Sequence, residues 1–293
     1  MTAQILSGKA IAAEIKAELK DRVDALGGLG VHPKMATLQV GDDPASVAYV
    51  NGKHRDAEEL GIESVRVDLP SGASTADVRK AIEDFNSARD ITGFIIQLPL
   101  PVGHNEEAML ELMDPGKDAD GLHPFNLGKL VLGVSGQLET PLPATPHGVV
   151  QMAQRSGIEL AGKHVAVVGR GLTVGRPLGL LLTRRGVDAT VVLAHSQTRD
   201  LVATVREADV VVAATGRPGL VTADMVKPGA AVFDVGITRG PVGPNGKAKL
   251  VGDVDPGVAE VAGYLSPVPG GVGLMTRVML LHNIVTAAER STR

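Results

Sequence analysis

Four apolar runs in the second half of the chain, KHVAVVG, ATVVLAH, ADVVVAAT and AAVFDVG, are spaced by stretches long enough for helices. This alternation constrains the fold more than any other feature. Short runs rich in Val with no polar face suit strands buried in a parallel sheet, whose consecutive members need a helical crossover. The first half repeats the pattern: MATLQVG, ESVRVDLP and ITGFIIQLPLP read as strands, with helices beginning near Pro44 and Ser74. The expected fold class is therefore α/β with parallel sheets, neither all-helical nor all-β. Glycine, 36 of 293 residues, exceeds the roughly 7% of average usage. Many tight strand-to-helix turns would account for it.

A chain of 293 residues suggests about two domains, each able to bury a core. The Pro-rich passage ETPLPATPHG at 139–148 marks the junction, which gives a first domain over 1–140 and a second over 141–269. Beyond SPVPGGVG at 266–273, the segment TRVMLLHNIVTAAERS carries Val278, Leu281, Ile284 and Val285 at the spacing of an amphipathic helix. Residues 270–293 are expected to return to the first domain and complete it. An N-terminal helix is also expected, with Ile11, Ile15, Leu19, Val23 and Leu26 on one stripe.

Composition excludes several classes of function. Acidic residues outnumber basic ones, 33 to 29, and the cations are dispersed, so there is no electrostatic footprint for nucleic acid. No apolar run is long enough for a membrane span, and the acidic first helix argues against a targeting peptide. A soluble, cytoplasmic protein is the expectation. With no cysteine, disulfide and thiolate chemistry are excluded. His104, His123, His147, His164 and His282 show no ligand spacing, and no metal is expected. Ser135 and Ser266 lie outside any G-x-S-x-G elbow. His54-Arg55-Asp56 lacks the other elements of a kinase and reads as a solvated helix face.

Two stretches carry chemistry. Asp43 and Pro44 are suited to N-cap and first helical positions, so SVAYVNGKHRDAEELGI is expected to be helical. Tyr49 and Lys53, four residues apart, then project from one face on successive turns. The second stretch, KHVAVVGRGLTVGRPLGLLLTRRG, has the order of a dinucleotide site: strand, glycine turn at Gly169-Arg170-Gly171, and Gly175 opening a helix. Glycines let the backbone approach a pyrophosphate seated on the helix N-terminus. The spacing is GxGxxxG. The following strand ends in Ala194-His195-Ser196 with no carboxylate to repel a 2′-phosphate, so NADP is expected rather than NAD.

These segments together resemble the bifunctional methylenetetrahydrofolate dehydrogenase/methenyltetrahydrofolate cyclohydrolase family. The resemblance spans nearly the whole chain through YVNGK at 49–53, GFIIQLPLP, KDADG at 117–121, TPHG at 145–148, GRGLTVGRP at 169–177, HSQT, DVGI at 234–237, GDV at 252–254 and PVPGGVG at 267–273. It implies a folate-binding first domain and a Rossmann-like NADP domain, with the active site in the cleft between them. Tyr49, Lys53, Gln97 and Asp120 would be catalytic. Val50, Asn51, Gly52, Ile96 and Leu98, with Pro269, Gly270, Gly271, Val272 and Gly273, would join them in lining the folate site. Gly169, Arg170, Gly171, Gly175, His195, Ser196, Thr215, Gly216 and Ile237 would contact the cofactor. The resemblance also implies a homodimer acting on tetrahydrofolate derivatives. Gly171, Leu274 and Ala144 depart from the family's usual Ser, Pro and Cys.

The implied activity is NADP-dependent oxidation of 5,10-methylenetetrahydrofolate to the methenyl form, followed by hydrolysis to 10-formyltetrahydrofolate. Hydride loss from a carbon between two nitrogens needs positioning rather than a protein base. Hydrolysis needs a proton acceptor for water, and a lysine serves only if its pKa falls toward neutrality. Gln97 could orient that amine, and Asp120 could accept from the pterin. Two competing expectations are a monofunctional dehydrogenase of the same fold and a catalytically silent nucleotide-binding regulator. Lys53 with Gln97 favours two activities over the first, and the joint presence of Tyr49, Lys53, Gln97 and Asp120 argues against the second.

Overall fold

The computed structural model describes residues 2–242 and 248–292. The first part of the chain runs β1 (Gln4–Ile5), α1 (Gly8–Gly28), β2 (Lys34–Val40), α2 (Pro44–Glu59), β3 (Glu63–Leu69), α3 (Thr75–Ser87), β4 (Gly93–Ile96), α4 (Glu106–Glu111) and α5 (Pro124–Leu132). The second runs α6 (Ala144–Arg155), β5 (His164–Val168), α7 (Gly175–Leu182), β6 (Thr190–Ala194), α8 (Leu201–Arg206), β7 (Val210–Ala213), β8 (Ala231–Asp234), β9 (Thr238–Val242), β10 (Ala248–Val251), β11 (Tyr264–Leu265) and α9 (Val272–Arg290). Two compact units result. Among the described residues, one comprises 14–130, 138–144 and 277–292, and the other 2–13, 131–137, 145–242 and 248–276.

The first of these is built on a parallel sheet in the order β3-β2-β4. Its central strand β2 buries Met35, Ala36 and Leu38 completely, as a strand covered on both faces must. Helix α3 opens with a reciprocal capping box between Ser74 and Asp77 and turns Val78, Ile82 and Phe85 inward. Phe85 meets Phe94 with ring centroids 5.2 Å apart and planes tilted by 59°, an arrangement favoured by the ring quadrupoles. The end of the chain closes the unit: Asn283 Nδ2 donates to the carbonyls of Ala119 at 2.9 Å and Leu142 at 2.8 Å. Gly93 makes room for the same helix, since a Cβ there would stand 2.7 Å from Ile284 Cδ1.

The other unit carries a six-stranded sheet among the described residues, in the order β1-β11-β8-β7-β5-β6 and parallel throughout. Its core includes Ala166, Val168, Val211, Ala213, Val221 and Val232. The chain passes from β5 to β6 on one side and then returns to β7 on the other. Such a reversal opens a crevice at the carboxyl ends of the strands, where ligands bind in folds of this kind.

Four features differ from expectation. Residues 2–13 cluster with the six-stranded sheet because β1 pairs with β11, whereas they are expected in the first domain. Residues 270–276 also fall in this unit, so the closing segment begins in one unit and, of the described residues, only 277–292 lie in the other. Helix α9 is not amphipathic: Met275, Met279 and Leu280 are as buried as Val278, Leu281, Ile284 and Val285. The antiparallel hairpin β9–β10 was not anticipated.

Candidate active site

The expected site residues fall into two sets, one in each unit. In the three-stranded unit, Asp43 caps α2 by accepting from the amides of Ala45 and Ser46, both at 2.9 Å, and Pro44 takes the first turn. The helix thus starts where Tyr49 and Lys53 share a face. Lys53 Nζ lies 4.9 Å from the Tyr49 ring centroid, and its side chain is 3% exposed.

Gln97 follows the last residue of β4 and continues its ladder, donating its backbone N–H to Leu38 at 2.8 Å. Its side-chain Nε2 donates to the Leu98 carbonyl at 2.7 Å, which leaves Oε1 to accept from Lys53 Nζ at 3.2 Å. Asp120 Oδ2 stands 4.0 Å from the same amine. Burial pulls the Lys53 pKa below the ordinary lysine range; the Asp120 carboxylate opposes this and the Arg277 guanidinium adds to it, the net effect being downward. Loss of hydration penalises the ammonium more than one imperfectly placed carboxylate stabilises it.

Asp120 is held by a loop with its own anchor. Asp118 is buried and accepts from the amides of Gly121 at 2.9 Å and His123 at 2.8 Å and from Asn126 Nδ2 at 2.9 Å. Burial nevertheless raises its pKa. Gly121 takes φ +71°, and a Cβ there would lie 2.3 Å from the Leu142 carbonyl carbon. A side chain is excluded on both counts. Of the neighbouring expected residues, Val50 and Ile96 are buried in the unit's core, while exposed Asn51 accepts from Arg66 at 2.7 Å.

The solvated face expected at 54–56 is corrected by the structure. Only Arg55 is exposed. His54 is partly buried, its Nε2 2.9 Å from Thr37 Oγ1 and its Nδ1 2.7 Å from Ser64 Oγ. Asp56 is buried and paired with Lys16 at 2.5 Å and Arg277 at 2.8 Å. The partners come from distant segments, so helical spacing alone could not disclose them.

The second set sits at the carboxyl ends of the six-stranded sheet. Gly169 follows β5 at φ +127°, and a Cβ there would fall 2.1 Å from the Ala214 carbonyl oxygen. Gly175 begins α7 so close to the turn that its Cβ would lie 2.1 Å from the Gly169 carbonyl oxygen. These two glycines are required by space. Gly171 is not: no atom lies within 4 Å of its would-be Cβ, so the family's usual serine would fit. Arg170 and Ser196 are both exposed and follow adjacent strands in register, Val168 opposite Ala194. Ser196 does not cap α8, a place taken by Asp200.

Thr215 and Gly216 follow β7 and are fixed by a residue to which sequence reasoning assigned no role. Asp253 Oδ2 accepts from Thr215 N at 2.5 Å, Thr215 Oγ1 at 3.0 Å and Gly216 N at 3.0 Å. A second carboxylate, Asp234, accepts from the amides of Asp253 at 2.9 Å and Val254 at 3.1 Å. Each aspartate lies under a glycine: a Cβ on Gly236 would meet Asp253 Cγ at 2.1 Å, and one on Gly252 would meet Asp234 Oδ2 at 1.8 Å. The recurrence of an Asp close to a Gly in DVG at 234–236 and GDV at 252–254 was the available signal. Burial pushes the Asp234 pKa up to about 6, with Asp253 also raising it against the backbone donors.

Ile237, half exposed, touches the PVPGGVG segment: a Cβ on Gly273 would stand 3.4 Å from Ile237 Cδ1. Residues 269–273 thus share a unit with the expected cofactor residues, not with Lys53. Among the described residues no group of His, Asp and Glu could hold a metal, and no helix is long and apolar enough to cross a membrane.

Comparison with known proteins bears on both sets. Residues 6–120 match the model of the tetrahydrofolate dehydrogenase/cyclohydrolase catalytic domain, and residues 143–292 match that of the family's NAD(P)-binding domain. The bifunctional FolD methylenetetrahydrofolate dehydrogenase/cyclohydrolase of Campylobacter jejuni is 39% identical, with 99% of each chain covered and a TM-score of 0.90. The Trypanosoma brucei enzyme, solved with NADP cofactor and an inhibitor, is 37% identical over 100% of this chain and 99% of that one, with a TM-score of 0.93. A silkworm methylenetetrahydrofolate dehydrogenase is 38% identical over 99% of both chains, with a TM-score of 0.91. With both of its domain models matched in order and such likeness at full length, the chain belongs to the tetrahydrofolate dehydrogenase/cyclohydrolase family.

Proposed function

We propose that this chain oxidises 5,10-methylenetetrahydrofolate with NADP and hydrolyses the product to 10-formyltetrahydrofolate, using Lys53 as the proton acceptor of the second step. The observation that carries the two-step reading is the Lys53 amine, 3% exposed and 3.2 Å from Gln97 Oε1. A monofunctional dehydrogenase has no use for a desolvated lysine so placed, and a silent regulator has no use for the pair.

NADP supplies a hydride acceptor at its nicotinamide ring. The β5–α7 turn suits it, because Gly169 and Gly175 have no space for side chains and bring the backbone close to where a pyrophosphate would lie. Gly169, Arg170, Gly171, Gly175, His195, Ser196, Thr215, Gly216 and Ile237 would hold it. When hydride leaves the bridging carbon, the two folate nitrogens share the positive charge, and the protein need only position the carbon. Asp120, a carboxylate on a rigid loop, would bind the donors of the pterin.

Water then adds to the methenyl carbon and gives a proton to the uncharged Lys53 amine. Gln97 Oε1 keeps that amine aimed. As the carbon–N5 bond breaks, the hydroxyl proton leaves and N5 gains one, so that a single proton is released overall. The positive charge of the methenyl group itself favours the uncharged amine. We take the active form to be a homodimer, as the family resemblance implies, and cytoplasmic, as the composition suggests; sedimentation equilibrium would test the assembly. Assaying both reactions with NADP and with NAD tests the whole reading. Oxidation with no hydrolysis above the uncatalysed rate would reduce the chain to a dehydrogenase.

A further inference from the structure

Arg277 meets α2 on the turn that carries Lys53. Its Nε lies 2.8 Å from Asp56 Oδ2 in an ion pair that lacks hydrogen-bond alignment. Its terminal group fills the space beside Gly52, where a Cβ would stand 2.0 Å from Nη1, 3.1 Å from Cζ and 3.3 Å from Cδ. Gly52 lies inside α2, where glycine is less favourable than alanine. A helical residue has no conformational need for it. The seated guanidinium is what explains its presence.

We propose that Arg277 is a positioning residue for hydrolysis: seated on Gly52 and tethered by Asp56, it fixes a positive charge beside Lys53 that favours the proton-accepting form of the amine. This rests on reading Lys53 as the base. The need is electrostatic. Asp120, 4.0 Å away, favours the ammonium, and a second cation offsets it. Burial lowers the Lys53 pKa most, Asp120 raises it and Arg277 lowers it further. The other charged or titratable groups nearby are Tyr49, His54 and Asp56 on α2 itself, the Tyr49 ring 4.9 Å from the amine, with Lys16 of α1 paired to Asp56. Asp56 is thereby shared between two cations instead of acting on Lys53 alone.

The test is the pH dependence of cyclohydrolase kcat/KM in Arg277→Met, Arg277→Lys, Gly52→Ala and the Gly52→Ala/Arg277→Met double variant. Gly52→Ala displaces only the end of a flexible side chain, so it carries the test even if Arg277→Met folds poorly. In both Arg277→Met and Gly52→Ala the acidic limb should move to higher pH by on the order of one unit. The double variant should move it no further than either alone, and Arg277→Lys should bring it back toward the parent. Uniform loss of rate at every pH, with the limb unmoved, assigns Arg277 to structure only and overturns the proposal. Lys53→Met serves as the separate control: if it keeps the parent rate and limb, the base assignment itself is wrong.

Discussion

Gln97 offers Lys53 a single atom, because its Nε2 is committed to the Leu98 carbonyl and only Oε1, 3.2 Å from Nζ, faces the amine. The amide is therefore a one-sided guide for the lysine. Lys53→Met keeps the length of the side chain and removes the proposed proton acceptor. Cyclohydrolase kcat should fall by about a hundredfold or more, with a much smaller loss of dehydrogenase activity. Stopped-flow absorbance of the methenyl chromophore in both directions would show the split; equal losses would refute it.

Asp120→Asn should act on binding. The carboxylate stands on a loop fixed by Asp118, Gly121 and Asn126, so the amide would occupy the same place and turn a donor toward the donors of the pterin. Folate affinity should weaken by about 1–3 kcal/mol while NADP affinity holds. Titration showing unchanged folate affinity would make Asp120 a loop residue only.

Arg170 and Ser196 follow neighbouring strands with no carboxylate between them, so Arg170→Ala should lower the NADP to NAD ratio of kcat/KM. A loss of one charge-assisted contact is worth about 1.5–3 kcal/mol, or roughly tenfold to a hundredfold. An unchanged ratio would show that the 2′-phosphate never meets this guanidinium.

Asp253 binds three donors of the Thr215–Gly216 turn, so Asp253→Asn should loosen that turn and weaken NADP binding by roughly tenfold, about 1.4 kcal/mol. Fluorescence titration of NADPH measures this directly. Unaltered affinity would mean the turn is held by other contacts.

Asp234 supplies a pH dependence of stability. Its folded pKa, about 6, lies above its ordinary 3.8, so the fold binds the proton more tightly than the unfolded chain. The resulting stabilisation is complete below about pH 4 and is lost as pH rises through about 6, at most about 3 kcal/mol. In urea denaturation, the advantage of the parent over Asp234→Asn should shrink between pH 4 and pH 7. A difference independent of pH would contradict the shift.

The sequence disclosed those features whose cause is local. Asp43 and Pro44 announce α2, four-residue spacing puts Tyr49 and Lys53 together, and the strand-glycine-helix order marks the β5–α7 turn. What it hid depends on distant partners. Strands β1 and β11 have two residues each, too few for any period to register. Asp56 reads as surface until Lys16 and Arg277 arrive from segments far away in the chain. Helix α9 shows an apolar stripe in sequence, yet its remaining sides are also enclosed, and that enclosure is a property of the tertiary structure.

The order in which such a chain is synthesised has a consequence for how it folds. Gln4 waits for Tyr264 before β1 can pair, and the three-stranded unit lacks its Asn283 and Arg277 contacts until the last helix has left the ribosome. The six-stranded unit is complete only at residue 276, and the three-stranded unit only after it. Each unit thus draws on segments made early and late, and apolar surface that awaits a late partner is the kind that favours aggregation during synthesis.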